Sequence, residues 1–188
     1  MVSETDSLGN TSTFTYDIRN NLRYITDSLG QSTSMSYNSM GQITALTLPN
    51  GAVHGFTHDL AGNLTNRIDP NGNVHTYEFD VLNRIHREID ALGAVTVYEF
   101  DSGDNLARII NAQGAETEYR FNGQDLVTEI INADGNVIYI EYDEVGNMIK
   151  VVEPNGAITT LEYDAENRLI RIINAEGLII NYRHDALR

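Results

Sequence analysis

The chain contains no cysteine, which excludes disulfide staples, thiolate nucleophiles and Cys-ligated zinc. Basic residues are scarce, with 12 Lys+Arg against 27 Asp+Glu and a formal net charge of −15 at pH 7. Phosphate binding is driven by basic surface, so this balance argues against a nucleic-acid partner. No apolar run approaches the ~18–20 residues that cross a bilayer, so no membrane insertion is expected. Met1-Val2-Ser3-Glu4 does not open a signal peptide, and any export signal is expected to lie elsewhere. What is present is ordinary: 41% hydrophobic and 21% charged residues fit a globular chain rather than a disordered one. With 188 residues, the length predicts one domain with a sizeable core.

Internal periodicity redefines that expectation. Gly9, Gly30, Gly51, Gly72, Gly93, Gly114, Gly135, Gly156 and Gly177 form an unbroken series at a spacing of 21. Seven residues after each Gly stands a ring: Tyr16, Tyr37, His58, Phe79, Phe100, Phe121, Tyr142, Tyr163 and His184. Two residues before the ring runs a second apolar column, from Phe14 and Met35 through Tyr77, Tyr98 and Tyr119 to Ile140, Leu161 and Tyr182. The ring is always followed by Asp or its amide: Asp17, Asn38, Asp59, Asp80, Asp101, Asn122, Asp143, Asp164 and Asp185. Three residues further on comes a residue that tolerates a left-handed backbone: Asn20, Gly41, Gly62, Asn83, Asp104, Asp125, Gly146 and Asn167. An apolar position two places later, Leu22 to Leu169, completes the unit. The nine copies contain no insertion or deletion.

The stretch from Gly to Tyr-Asp is rich in Val, Thr, Tyr and Phe and predicts a strand. The Leu to Ile-Ile stretch predicts a second, shorter one. Between them, Tyr-Asp-x-x-Gly fits a type I turn capped by the Asp side chain and closed by a left-handed residue as a G1 bulge. The other junction, Asp69-Pro70-Asn71-Gly72 with its equivalents Leu48-Pro49-Asn50-Gly51 and Glu153-Pro154-Asn155-Gly156, is a turn of the same kind. All 3 Pro fall in this one column, outside the ladders they would interrupt. Two tight turns per repeat predict an all-β antiparallel meander of about 18 strands, curling into a spiral ribbon or partial shell. A parallel β-helix is the alternative.

In the first strand both apolar columns share one parity and the residue between them is polar, as in Thr15, Glu78, Glu99, Arg120, Glu141 and Glu162, which predicts a one-sided core. From the fifth repeat the second strand is apolar on both faces, at Ile109-Ile110, Ile130-Ile131, Val151-Val152 and Ile172-Ile173. That predicts a covering over the outer face of the later repeats. Charge is graded too. Residues 1–75 hold 6 acidic and 3 basic residues, leaving 21 and 9 of the totals of 27 and 12 for residues 76–188.

The pattern Tyr-x-Tyr-Asp-x-x-Gly-Asn-Leu, with an upstream Gly and a downstream Asp-Pro-x-Gly, resembles the YD (tyrosine-aspartate) repeat of the Rhs family. Matching copies include Ile140-Glu141-Tyr142-Asp143-Glu144-Val145-Gly146-Asn147-Met148 and Phe14-Thr15-Tyr16-Asp17-Ile18-Arg19-Asn20-Asn21-Leu22. The resemblance covers the chain from about residue 6 onward. No copy holds both Tyr; His58 and His184 replace the second, and Asn38 and Asn122 replace Asp. The family includes Rhs polymorphic toxins, C components of insecticidal toxin complexes, wall-associated bacterial proteins and teneurins. Its repeats wind a β ribbon into a hollow shell that can enclose a toxic C-terminal domain. The resemblance therefore implies a secreted or cell-surface scaffold without catalysis or cofactor, partnered by the remaining repeats or the toxin domain of a parent protein. The autoproteolytic segment that closes such shells has no counterpart.

Candidate chemistry is sparse. Carboxylates of successive Asp-column residues are expected about 9–10 Å apart, two strand spacings, too far to share Ca²⁺ or couple as a dyad. The column is therefore read as turn caps. Among the 5 His, His54, His58 and His75 are the most suggestive set, but His54 and His58 are expected about 13 Å apart along one strand, so no metal site is expected. Tyr77, Tyr98 and Tyr119 form a row that a glycan could stack on, the alternative being simple apolar packing. Two further expectations remain open: a glycan-binding or adhesion module, and self-association through free strand edges or the Ile-rich face. The chain is one residue short of nine periods of 21 and lacks distinctive caps. Residues 1–188 are accordingly expected to be a single array cut from a longer one.

Overall fold

A computed structural model describes residues 1–184. Among the described residues there are eighteen strands, from Val2–Thr5 to Ile179–Asn181, and no helix. The chain divides into two compact units, Met1–Val95 and Thr96–Arg188. In each unit every strand pairs antiparallel with its sequence neighbour, as Thr11–Tyr16 does with Leu22–Thr26 and Glu116–Phe121 with Val127–Ile131. The meander is thus observed and the parallel β-helix is overturned. The physical reason lies in the turns, which reverse the chain within four residues and leave no room for the wide corners of a solenoid.

Apart from the terminal strands of four and three residues, each repeat supplies a six-residue strand and a five-residue one, for example Ser32–Tyr37 and Ile43–Thr47. The mismatch is taken up at one place. The register slips by one between Thr15 and Tyr16, and at the same point in every later repeat, as between Glu141 and Tyr142. Phe14 faces Ile25 while Tyr16 faces Leu22, so the bulge at Arg23 brings Leu22 and Ile25 to one face although their numbers differ in parity. That face carries both ring columns. The opposite face carries the polar mid-strand column and the second residue of each Ile pair, such as Ile131 opposite Glu118 and Val137.

The expected sizeable core is absent. Met35, 8% exposed, is the one buried hydrophobic residue among those described, and no side chain is fully buried. The accessible surface is 12611 Å², against about 9,000 Å² for a compact chain of this mass and roughly 10,800 Å² for two separate compact units. Periodicity reveals which side chains share a face; it does not reveal whether a second layer covers them. In each unit the sheet is one layer, and its ring columns are half-buried only by their own neighbours. Within the unit Thr96–Arg188 the covering predicted over the Ile-rich face is likewise not supplied by any described residue of that unit.

Turn backbone conformation is therefore decisive, because no core exists to correct a slipped register. All described residues with positive φ fall in the two columns marked from sequence: Asn20, Asn83, Asp104, Asp125 and Asn167 with Gly41, Gly62 and Gly146 in one row, and the nine period glycines in the other. At Gly72 φ is +86 and nothing lies within 4 Å of where a Cβ would be. Gly72→Ala is accordingly expected to cost about 1–2 kcal/mol from backbone strain alone. Gly123→Ala, with equal space and an ordinary φ, is expected to change stability by less than about 0.5 kcal/mol or to raise it slightly. Urea unfolding of the two variants checks the contrast; equal costs would refute the conformational explanation.

Candidate functional site

The residues singled out in the sequence converge on the two rows of turns. In the first row the Asp-column residue sits at the first turn position, and its main chain makes two bonds. In the turn at Asp143, the Asp143 N–H donates to Asn147 O at 2.9 Å and the Gly146 N–H donates to Asp143 O at 3.2 Å. Its side chain makes three more, Oδ1 accepting from Val145 N at 3.1 Å and Asn147 N at 2.8 Å and Oδ2 accepting from Asn147 Nδ2 at 2.8 Å. Asp17, Asp59, Asp80, Asp101 and Asp164 repeat the Oδ1 bond to the N–H four residues on. Asn38 and Asn122 do so with an amide oxygen, which is why the replacement leaves the turn intact. The last member of the column, Asp185, lies outside the described residues.

The second row uses the same chemistry, as expected of a turn of the same kind; the recurrence of the cap along the column was not read from sequence. Asp6, Asp27, Asp69, Asp90, Asn111, Asn132 and Asn174, three places before the period glycines, each accept through Oδ1 from the N–H four residues on. Leu48 and Glu153 break the column, and there Asn50 and Asn155 accept the N–H of Ala52 and Ala157 instead. Capping groups thus recur about every half period. The signal was an Asp or Asn at a fixed offset before Gly, hidden by attention to Gly and Pro.

Two further networks join neighbouring strands and turns. Residues twenty apart link consecutive turns of the first row: Asn63 Nδ2 donates to Asn83 Oδ1 at 2.8 Å, Asn105 Nδ2 to Asp125 Oδ1 at 2.9 Å and Asn147 Nδ2 to Asn167 Oδ1 at 3.0 Å. On the face opposite the rings, the mid-strand polar column pairs with a residue nine further on. The ion pairs are Glu78–Arg87, Glu99–Arg108, Arg120–Glu129, Glu141–Lys150 and Glu162–Arg171, at 2.8, 2.7, 3.0, 2.8 and 3.4 Å. At Arg120 the signs are exchanged and the pair survives. In early repeats hydroxyls and amides replace the charges, as between Thr57 and Thr65 at 3.0 Å and between Asn66 Nδ2 and Thr57 Oγ1 at 2.8 Å.

The second ring column owes its tyrosines to a carbonyl. Tyr37 Oη donates to Leu22 O at 2.6 Å, Tyr142 to Val127 O at 2.9 Å and Tyr163 to Met148 O at 2.9 Å, each reaching fifteen residues back into the preceding repeat. Burial holds the Tyr142 phenol above its ordinary pKa, so it remains a donor. Phe79, Phe100 and Phe121 cannot make this bond. Phe121→Tyr is expected to add it to Leu106 O and raise stability by about 1 kcal/mol, and Tyr142→Phe to lose a similar amount. Urea unfolding of both variants tests the pair; no gain at position 121 would mean that this carbonyl is already satisfied.

Chemically, the contacts described so far hold turns and strands together. Among the described residues no group of three or more His, Asp or Glu is placed to hold a metal. His54 and His75 lie beside Asp69 and Asp90, whose carboxyls their charge helps to hold low. His58 replaces a ring and keeps Nδ1 buried without a partner. Tyr77 and Tyr119 stand on the ring face, Tyr77 opposite Glu88 and Tyr119 opposite Ile130. The carboxyls of Asp6, Asp17, Asp59, Asp69 and Asp143 are held below the ordinary range, first by the side-chain amide of the Asn four residues on. For Asp80, Asp90 and Asp164 the N–H at that place comes first. A depressed folded-state pKa adds stability above the unfolded pKa, lost as pH falls through the folded one. Melting temperature is therefore expected to fall once pH drops below about 4, after a rise on mild acidification as the repulsion within the −15 charge is relieved. Thermal melts across acidic pH test this, and a melting temperature flat below pH ~4 would contradict it.

Comparison with known proteins follows the same lines. The teneurin YD-shell model matches residues 4–94, and the RHS repeat model matches residues 100–137 and 142–187. Similar folds occur in the crystal structure of TcdB2-TccC3 without its hypervariable C-terminal region, at a TM-score of 0.55 and 13% identity, and in that of TcdB2-TccC3, at 0.53 and 13%. The Photorhabdus luminescens Tc holotoxin pore matches at 0.50 and 12%. Each match covers 97% of this chain and 14% of the other, so the chain spans about a seventh of those proteins. No curated protein matches it in sequence.

Proposed function

Because the chain belongs to the YD-repeat (Rhs-repeat) family, we propose that it is a length of shell wall: a structural sheet that helps to enclose or present a toxin or effector domain of a larger exported protein. It has no catalysis of its own on this reading. The observation that carries the reading is the uncovered single layer. Among the described residues Met35 is the one buried hydrophobic side chain, and within each unit such a sheet offers no interior in which to build a sheltered active site. It does have two laced faces that extend by simple repetition. Its partners are then further repeats at its strand edges and an enclosed domain against one face.

The ring face is the natural inner wall, since its half-buried apolar columns gain most from contact with a passenger. The ion-pair face is the natural outer one, its charges neutralised pairwise and wet. A wall also accounts for nine copies without an insertion, because one residue added within a strand turns the rest of that strand's side chains to the wrong face.

The reading is tested by lengthening the wall. Tandem copies of the array, joined with one added residue to keep the 21-residue register, are fused to a protease-sensitive passenger. Protection of the passenger is expected to rise with copy number. Protection independent of copy number would overturn the reading, as would an enzymatic activity that copurifies with the chain and is abolished by a point substitution in it.

A further inference from the structure

The chain has four Asn-Gly steps: Asn50-Gly51, Asn71-Gly72, Asn122-Gly123 and Asn155-Gly156. In this dipeptide the main-chain nitrogen of Gly approaches the preceding side-chain amide with no Cβ in the way. The turns make the four steps unequal. At three of them the Gly N–H is the donor that closes the turn: Gly51 to Leu48 O at 2.9 Å, Gly72 to Asp69 O at 3.0 Å and Gly156 to Glu153 O at 2.8 Å. Using that nitrogen as a nucleophile breaks the turn.

Asn122 sits at the first turn position instead. The closing bond there runs from Asp125 N to Asn122 O at 3.1 Å, and the Gly123 N–H donates to no group among the described residues. Asn122 Oδ1 accepts from Gln124 N at 2.9 Å and Leu126 N at 3.1 Å. An Asx turn is a β-turn in which the side chain stands for a main-chain unit, so it folds the Asn Cγ back toward the next nitrogen. The same two donors point at the oxygen that becomes negative when that nitrogen adds to Cγ, which is the arrangement of an oxyanion hole. The other asparagines in this role, Asn38, Asn111, Asn132 and Asn174, are followed by Ser or Ala, whose Cβ obstructs the approach.

We propose that Asn122 is a site of spontaneous self-modification, deamidating through its own turn ahead of the other three Asn-Gly steps. Gly123 N loses its proton to hydroxide and bonds to Asn122 Cγ; the Cγ–Nδ2 bond breaks and Nδ2 leaves as ammonia, taking a proton from water. Water then opens the cyclic imide. Opening at Cγ leaves an aspartate at position 122, the residue that the column holds at Asp101 and Asp143, with its capping oxygen retained and one negative charge added. Opening at the main-chain carbonyl routes the backbone through the side chain and lengthens it by one methylene. That product breaks the turn and, with no core to resist, the register beyond it. The inference does not depend on the shell reading.

The full chain is incubated at mildly alkaline pH and followed by mass spectrometry of peptides cut after Lys and Arg. Deamidation at Asn122 is expected on the order of fivefold faster than at Asn50, Asn71 or Asn155, the factor that one turn hydrogen bond is worth. The four rates are expected to converge in denaturant, and Gly123→Ala, whose backbone needs no positive φ, is expected to abolish the reaction while the chain stays folded. Equal or slower reaction at Asn122 in the folded chain overturns the proposal. So does the same ranking in denaturant, or an Asn122 that stays intact while a peptide of its sequence is converted.

Discussion

The structure depends on one small arrangement, a four-residue turn whose first side chain accepts the main-chain N–H four residues on and whose fourth residue is left-handed. In a globular sheet protein a misaligned strand is penalised by the core it exposes. Here Met35 is the one buried hydrophobic residue described, and that penalty is almost absent. Alignment must be set locally, strand by strand, and the capped turn is the device that sets it. The left-handed residue fixes the reversal and the Asx oxygen satisfies a donor that would otherwise face water. The closing pair of main-chain bonds, repeated at every turn from Asp6 to Gly177, leaves one register available.

Given aligned strands, the rest is cross-strand pairing. Exposed ion pairs are individually worth at most about 1 kcal/mol, yet on the face opposite the rings they recur in five consecutive copies, from Glu78–Arg87 to Glu162–Arg171. Arg108 bridges Glu99 and Glu116 at 2.7 and 2.8 Å and so binds three strands together. The early repeats place Thr57 and Asn66 in the positions of Glu99 and Arg108, and Asn66 joins Thr57 to Thr76 on the next strand by hydrogen bonds of 2.8 Å. The charge gradient along the chain is therefore one structural column with two chemistries, and it alters the surface without altering the fold.

Much of this was legible in the sequence, for identifiable reasons. The turns announced themselves because left-handed backbone restricts residue choice so strongly that Gly, Asn and Asp line up at fixed intervals. Strand direction followed from turn tightness. The rule of nine, which pairs Glu78 with Arg87 and Arg120 with Glu129, was present as opposite charges at a fixed offset. It goes unnoticed when each column is read singly. The Tyr-to-carbonyl bond could not be inferred, since Tyr and Phe share the column and only the fold brings Leu22 O to Tyr37 Oη. The absent core was invisible for a deeper reason: alternation states that one face is apolar, and an apolar face is equally the inside of a sandwich and the lining of a wall.

The departures from the repeat sharpen that distinction. Where Leu48 and Glu153 replace the capping Asx, Asn50 and Asn155 supply the acceptor two residues later; where Asn replaces Asp, the same oxygen position is kept. What is retained is a satisfied N–H at a given place, with the residue free to vary. A catalytic or ligand-binding protein concentrates its constraints in a few irreplaceable side chains. This chain distributes them evenly, about two per repeat, and each copy solves the same local problem with whatever residue answers it. In such an array stability is close to a sum of neighbouring units, and what accumulates along it is area. Constraints that serve the regular extension of a single layer within each unit fit a structural role.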